Sequence, residues 1–161
     1  MRKFDVRQLT LAAMVAALYA VLSYLGNIFG LTFGPMQCRF SGALCVLPFL
    51  FPFTTPGLFI GCLLTNLLSP VGPVDIVFGS LATLLAALCT RRLREKFWLA
   101  ALMPVLFNGV IVGAVVHFCY SPAIALPLCM LSVAAGEAVA CLVVGPLLIG
   151  VLRRVPASVL N

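Results

Sequence analysis

The sequence predicts an all-α integral membrane protein, a compact bundle of six transmembrane helices with both termini in the cytoplasm. Three observations carry this expectation. Hydrophobic residues make up 63% of the 161-residue chain and charged residues only 9%, whereas a soluble domain carries roughly a quarter charged residues. Apolar runs recur between turns marked by glycine and proline. The basic residues collect at the ends of those runs. This composition excludes an ordinary cytoplasmic enzyme, a disordered segment and a small secreted domain. A spanning helix needs about 20 apolar residues, so six use roughly 120 and leave about 40 for loops. One membrane domain over residues 1–161 is expected, with no room for a separate soluble one.

The first span is read over residues 9–29. Its charged, apolar start looks like a signal peptide, but it is long enough to span and more spans follow, so it is expected to be retained. Residues 30–39 carry the breakers Gly30, Gly34 and Pro35 and the polar Gln37 and Arg39. A second run, 41–53, is interrupted by Pro48 and Pro52 and is short for a straight span, which predicts a kinked or incomplete helix. Thr54, Thr55 and Pro56 turn the chain into the third run, 56–68, with proline in a helix-starting position. Ser69, Pro70, Val71, Gly72 and Pro73 make a tight turn. The fourth run covers 74–89 and ends at a basic loop. The fifth covers 97–120 and the sixth 124–152.

The net charge of +6 comes from 10 lysines and arginines against 4 acids. The basic residues form three clusters: Arg2, Lys3 and Arg7; Arg91, Arg92, Arg94 and Lys96; Arg153 and Arg154. With a cytoplasmic N-terminus, four spans bring the second cluster inside and two more bring in the third. Five spans would leave one cluster outside. The charge is thus topological and no nucleic-acid partner is expected. The same parity puts residues 30–39, the 69–73 turn and 119–123 outside.

Seven cysteines lie at 38, 45, 62, 89, 119, 129 and 141, without a Cys-x-x-Cys pair, and His117 is the single histidine. Zinc and haem need clustered ligands, so no metal or cofactor is expected and the cysteines read as small packing residues. There is no P-loop motif, so any nucleotide energy must come from a partner. No repeat suggests inverted halves. No histidine, serine or acid pair has a catalytic spacing, so the chain is not expected to be an enzyme.

With so few charges, each one inside an apolar run is informative, because placing one at the bilayer centre costs roughly 2.5–3.5 kcal/mol. Asp75 starts the fourth run. It reads either as an acid complementing the helix dipole or as a site residue. Glu137 lies about ten residues beyond Pro127, roughly 15 Å along a helix and too deep to snorkel. It is read as functional, against a protonated or paired structural acid. Asn66 and Asn108 suit bonds across helices. Arg39 and Gln37 sit at the outer surface, where Arg39 is either a snorkelling anchor or the cap of a pocket. Together Gln37, Arg39, Asn66, Asp75, Asn108 and Glu137 would line one cavity in the outer half, suited to a nitrogen-rich heterocycle.

The first run carries another pattern. Ala12, Ala16 and Ala20 repeat at four-residue spacing, with Ala13 and Ala17 beside them. Small residues let helices approach closely in lipid. Two roles are open: packing within the chain, or docking on another subunit. The pairs Gly57/Gly61 and Gly109/Gly113 read as packing within the chain.

The order of these features resembles the substrate-binding S components of energy-coupling factor (ECF) transporters, and within them the QueT family. The resemblance covers nearly the whole chain. It rests on Gly34-Pro35-Met36-Gln37-Cys38-Arg39-Phe40-Ser41, Leu47-Pro48-Phe49 and Pro56-Gly57-Leu58-Phe59-Ile60-Gly61-Cys62. It continues through Asn66-Leu67-Leu68, Asp75-Ile76-Val77-Phe78-Gly79-Ser80-Leu81-Ala82-Thr83, Pro104-Val105-Leu106-Phe107-Asn108 and Gly136-Glu137-Ala138. The resemblance implies a six-helix binding subunit of the cell membrane for a 7-deazaguanine precursor of queuosine. Its partners would be a transmembrane coupling subunit, EcfT, and two ATPases. The alanine-rich first helix would dock on EcfT, and the subunit would topple in the membrane to release substrate inside. One departure stands out. The family pattern Arg-x-Ser-Glu-Ala reads Arg39-Phe40-Ser41-Gly42-Ala43 here. The missing acid removes a partner for a ligand amine and is expected to open space, which makes queuine a candidate beside the aminomethyl-deazaguanine base. The rival reading is a self-sufficient proton-coupled transporter with Glu137 as the proton site.

Overall fold

The computed structural model describes residues 5–29, 39–67 and 72–154. Helix α1 is Val6–Ile28; α2 is Thr55–Leu67; α3 is Pro73–Arg92; α4 is Phe97–Tyr120; α5 is Leu126–Leu152. Between α1 and α2 lies a ten-residue 3₁₀ helix, Phe40–Phe49, here called the central helix, followed by a single turn at Pro52–Thr54. The described residues thus contain the six helices expected. Four of them, α1, α3, α4 and α5, are long and apolar enough to cross a membrane. The central helix and the described part of α2 are each about 20 Å long, from rises of 2.0 and 1.5 Å per residue, short of a 30 Å hydrocarbon core. The interrupted second run is therefore a short helix, as its prolines suggest, and the described part of the third has the same length.

Close approach through glycine holds the elements together. Lipid tails are as apolar as leucine, so packing and hydrogen bonds must join the helices. A Cβ at Gly57 would overlap the backbone of Ala12, and one at Gly61 would lie 2.8 Å from the Ala16 carbonyl oxygen. Likewise a Cβ at Gly109 would lie 2.9 Å from the Ala134 Cβ, and one at Gly113 2.6 Å from the Met130 Cα. Both glycine pairs pack within the chain, as the sequence suggests. Residues 41–49 of the central helix are all buried. Its first turn is tied to α1 by Ser23 Oγ donating to Ser41 Oγ at 2.7 Å. Its last carbonyl, on Phe49, accepts from Arg94 Nε at 3.2 Å.

Prolines inside helices find local remedies. Pro104 of α4 has no N–H for the Ala100 carbonyl, and that oxygen accepts instead from Thr90 Oγ1 of α3 at 3.0 Å. In α5 a π-helical segment, Val139–Val144, widens the helix just before Pro146. Helix α4 carries two such segments, Asn108–Val112 and Val116–Tyr120. Four described cysteines, Cys45, Cys62, Cys129 and Cys141, are buried among the helices and Cys119 is exposed. Helix α3 runs one turn further than the sequence predicts and ends on Arg91 and Arg92, whose charges complement the helix C-terminus.

Apart from Arg39, the described lysines and arginines gather at one end of the bundle. Leu11, near the start of α1, and Leu152, at the end of α5, border the same cavity beside Phe51 and Phe53. Leu93 and Phe97, at either end of the basic loop, pack on Phe49 and Ile149.

Candidate functional site

Glu137 is carried by the middle of α5, eleven residues and about 16 Å from its first residue, and is only 4% exposed. Asn108 faces it from α4, where the helix passes from α to π winding. The Asn108 Nδ2 donates to Glu137 Oε1 at 2.8 Å. Across a small cavity stand Tyr19 of α1 and Arg39 at the N-terminus of the central helix, with Val112 and Val133 as the apolar walls. The cavity measures about 10 Å³, room for roughly one water.

Arg39 also faces a second polar group. Its Nη2 lies 3.7 Å from Asp75 Oδ2. Asp75 occupies the first turn of α3, which begins after Gly72 in the left-handed conformation (φ +80°) and Pro73. Asn66, near the end of α2, donates from Nδ2 to the Asp75 backbone oxygen at 3.1 Å and lies 3.4 Å from both Ser80 Oγ and Cys62 Sγ. Thr83 Oγ1 donates to the Gly79 carbonyl at 3.1 Å and reaches Cys62 Sγ at 3.2 Å. The fit is close because position 79 is glycine: a Cβ there would stand 2.7 Å from Asn66 Nδ2 and 2.9 Å from Asp75 Oδ1. Asn66 Oδ1 and Asp75 Oδ2 are both buried without a hydrogen-bond partner among the described residues. Buried polar atoms are nearly always satisfied; Asp75 Oδ2 has the ion pair with Arg39, which leaves Asn66 Oδ1 as an acceptor without a partner among the described residues.

Arg39 thus joins two groups, Glu137 with Asn108 and Asp75 with Asn66, and five of the six expected site residues meet. The sixth, Gln37, lies outside the described residues. Asp75 is both a first-turn acid and an ion-pair partner, so its two readings coexist. Sequence reasoning did not single out Tyr19, Ser80 or Thr83 as site residues, although Ser80 and Thr83 lie in a motif that carries the family resemblance. The one available signal for Tyr19 was its spacing, since Ala12, Ala16, Tyr19 and Ser23 recur every three or four residues and share the buried face of α1.

Two expectations need correction. The alanine strip does not act as one surface. Ala12 and Ala16 are buried against Gly57 and Gly61, because only small residues let α1 and α2 touch through their backbones. Ala13 and Ala17 are exposed and Ala20 is half-buried. Nor does Gly42 open space for a ligand. A Cβ at 42 would lie 2.7 Å from Glu137 Oε2 and 2.9 Å from Oε1 and Cδ. The Glu137 carboxylate already fills that volume. The backbone of Gly42 is held from the same side, its carbonyl oxygen accepting from Cys141 Sγ at 3.3 Å.

Comparison with known proteins bears on this arrangement. Residues 9–154 match the family described as QueT transporter. A curated relative, the queuosine precursor transporter QueT of Lactococcus lactis subsp. cremoris (strain MG1363), is 33% identical over 103 residues, 61% of this chain and 60% of the relative. The match therefore spans three fifths of that relative's length. No solved structure matches the chain. With its four membrane-length helices, the chain is a multi-pass membrane protein that belongs to the QueT transporter family.

Proposed function

We propose that this chain is the substrate-binding subunit of an ATP-driven importer in the cell membrane and takes up a queuosine precursor, the aminomethyl-deazaguanine base or queuine. The observation that carries the reading is the buried Glu137–Asn108 pair beside Arg39, with the Arg39–Asp75 ion pair and the Asn66 amide oxygen next to it. A deazaguanine edge offers several N–H donors, which carboxylates and amide oxygens accept. The relative's name supports the ligand class. A cavity of about 10 Å³ is far below the roughly 300 Å³ of an ordinary ligand pocket, so the reading requires the helices around Arg39 to part before a base enters. Mass spectrometry of small molecules co-purifying with the chain tests it. A deazaguanine is expected, and a purified chain that neither carries nor binds one overturns the assignment.

In this reading the basic end faces the cytoplasm, and energy comes from the coupling subunit EcfT with its two ATPases. Uptake that persists without the ATPases and follows a proton gradient would instead favour a self-sufficient transporter using Glu137. The docking face on α1 is Ala13, Ala17 and Ala20. At about 100° per residue these fall within roughly 60° of one another, beside the face that carries Ala12 and Ala16. Ala13→Trp and Ala17→Trp are expected to leave the isolated subunit's melting temperature and ligand affinity unchanged and to abolish co-purification with EcfT and uptake. Ala16→Trp is expected to fail earlier, in folding. Normal docking by both exposed variants would remove this face from the proposal.

A further inference from the structure

The central helix is narrow, and α1 and α5 rise on either side of it. Two apolar cavities, of about 540 and 340 Å³, lie end to end over it and share Leu18, Leu44 and Leu148. They form one groove along the flank of the bundle. Along α1 the groove runs from Leu11 to Leu22, eleven residues or about 16 Å, close to the roughly 15 Å depth of one leaflet's hydrocarbon. One end is marked by charge. Arg7 stands one helical turn before Leu11, and the exposed Arg153 and Arg154 follow directly on Leu152, which borders that end. Asp5, at the N-terminus of α1, is the acid there, so the rim stays positive. The other end, near Phe40 and Leu22, is apolar.

We propose that this groove binds one anionic phospholipid, with an acyl chain along the central helix and its phosphate among Arg7, Arg153 and Arg154. Charge and length select that occupant. Basic pockets between membrane helices hold anionic headgroups, and the slot has the depth of a single chain. Ala13 and Ala20 lie outside the groove, and Ala17, which lines it, is where it meets the proposed docking face.

The test uses the purified chain in mixed micelles of phosphatidylglycerol and phosphatidylcholine, with retained lipid counted by native mass spectrometry. One phosphatidylglycerol is expected to stay bound in preference to phosphatidylcholine. Arg153→Gln combined with Arg154→Gln should reduce its retention about thirtyfold, each charge contributing about fivefold, and leave phosphatidylcholine retention as it was. These arginines are exposed, so the double variant keeps the fold. Leu18→Trp, which fills the groove from its exposed wall, should reduce retention of both lipids. Equal retention of the two lipids by the unmodified chain, or undiminished phosphatidylglycerol in the arginine variant, overturns the proposal.

Discussion

Gly57→Leu is expected to lower the melting temperature of the detergent-purified protein by about 10 °C or to prevent folding. The neighbour a side chain would meet at this position is the backbone of Ala12, which no rotamer change can move. Overpacking in a filled interior costs typically 1–3 kcal/mol and occasionally more, and a rigid backbone neighbour puts this site at the upper end. For a chain of this size each kcal/mol shifts the midpoint by roughly 2–4 °C. Gly150→Leu is the matched control, because a Cβ at Gly150 has nothing within 4 Å. It is expected to melt within about 2 °C of the parent. Equal melting of the two variants would show that the α1–α2 contact is not close-packed.

Glu137→Gln is expected to weaken binding of the deazaguanine base on the order of 10–150-fold while leaving the melting temperature nearly unchanged. Glutamine keeps the Oε1 that Asn108 donates to, so the helix contact survives. What disappears is the charge, and hydrogen bonds to charged groups are worth about 1.5–3 kcal/mol. Gly42→Glu separates packing from preference. On the family pattern alone this change would tune the choice between the smaller base and queuine. In the structure the new side chain would enter space that the Glu137 carboxylate fills, bringing two acids into contact where burial makes like charge costly. It is therefore expected to lower affinity for both ligands together and to lower stability as well. Titration of each base against both variants checks this. A changed ranking with unchanged stability would mean that position 42 faces the ligand after all. Unchanged affinity in folded Glu137→Gln would remove Glu137 from the site.

These residues also show what the sequence made legible. Six helices followed from run lengths and proline positions, because in lipid every backbone group must be satisfied within a helix. The polar cluster was legible because Asp75, Glu137, Asn66 and Asn108 are costly in an apolar run and need one another. The division of the alanine strip was not, since Ala12 and Ala13 are chemically identical and only the position of Gly57 decides which one is covered. The seat of Glu137 was equally hidden. It depends on a contact between residues 95 positions apart, and nothing in the local sequence of Gly42 announces an acid beside it. Nor did the prolines reveal that the central helix is wound as 3₁₀ over its whole length, although they did show that it is short.

The bond from Thr90 to the Ala100 carbonyl has a consequence for how the chain can vary. Pro104 removes a donor from α4, and a hydroxyl on a different helix replaces it. Thr90→Val alone would strand a carbonyl in a dry interior, at a cost of about 1–3 kcal/mol. Once Pro104 is exchanged for a residue with an N–H, α4 supplies its own donor and the threonine becomes dispensable. The order of substitution then matters. A lineage can lose the proline first and the threonine afterwards, but the reverse path crosses a destabilised intermediate, so the older change makes the later one neutral.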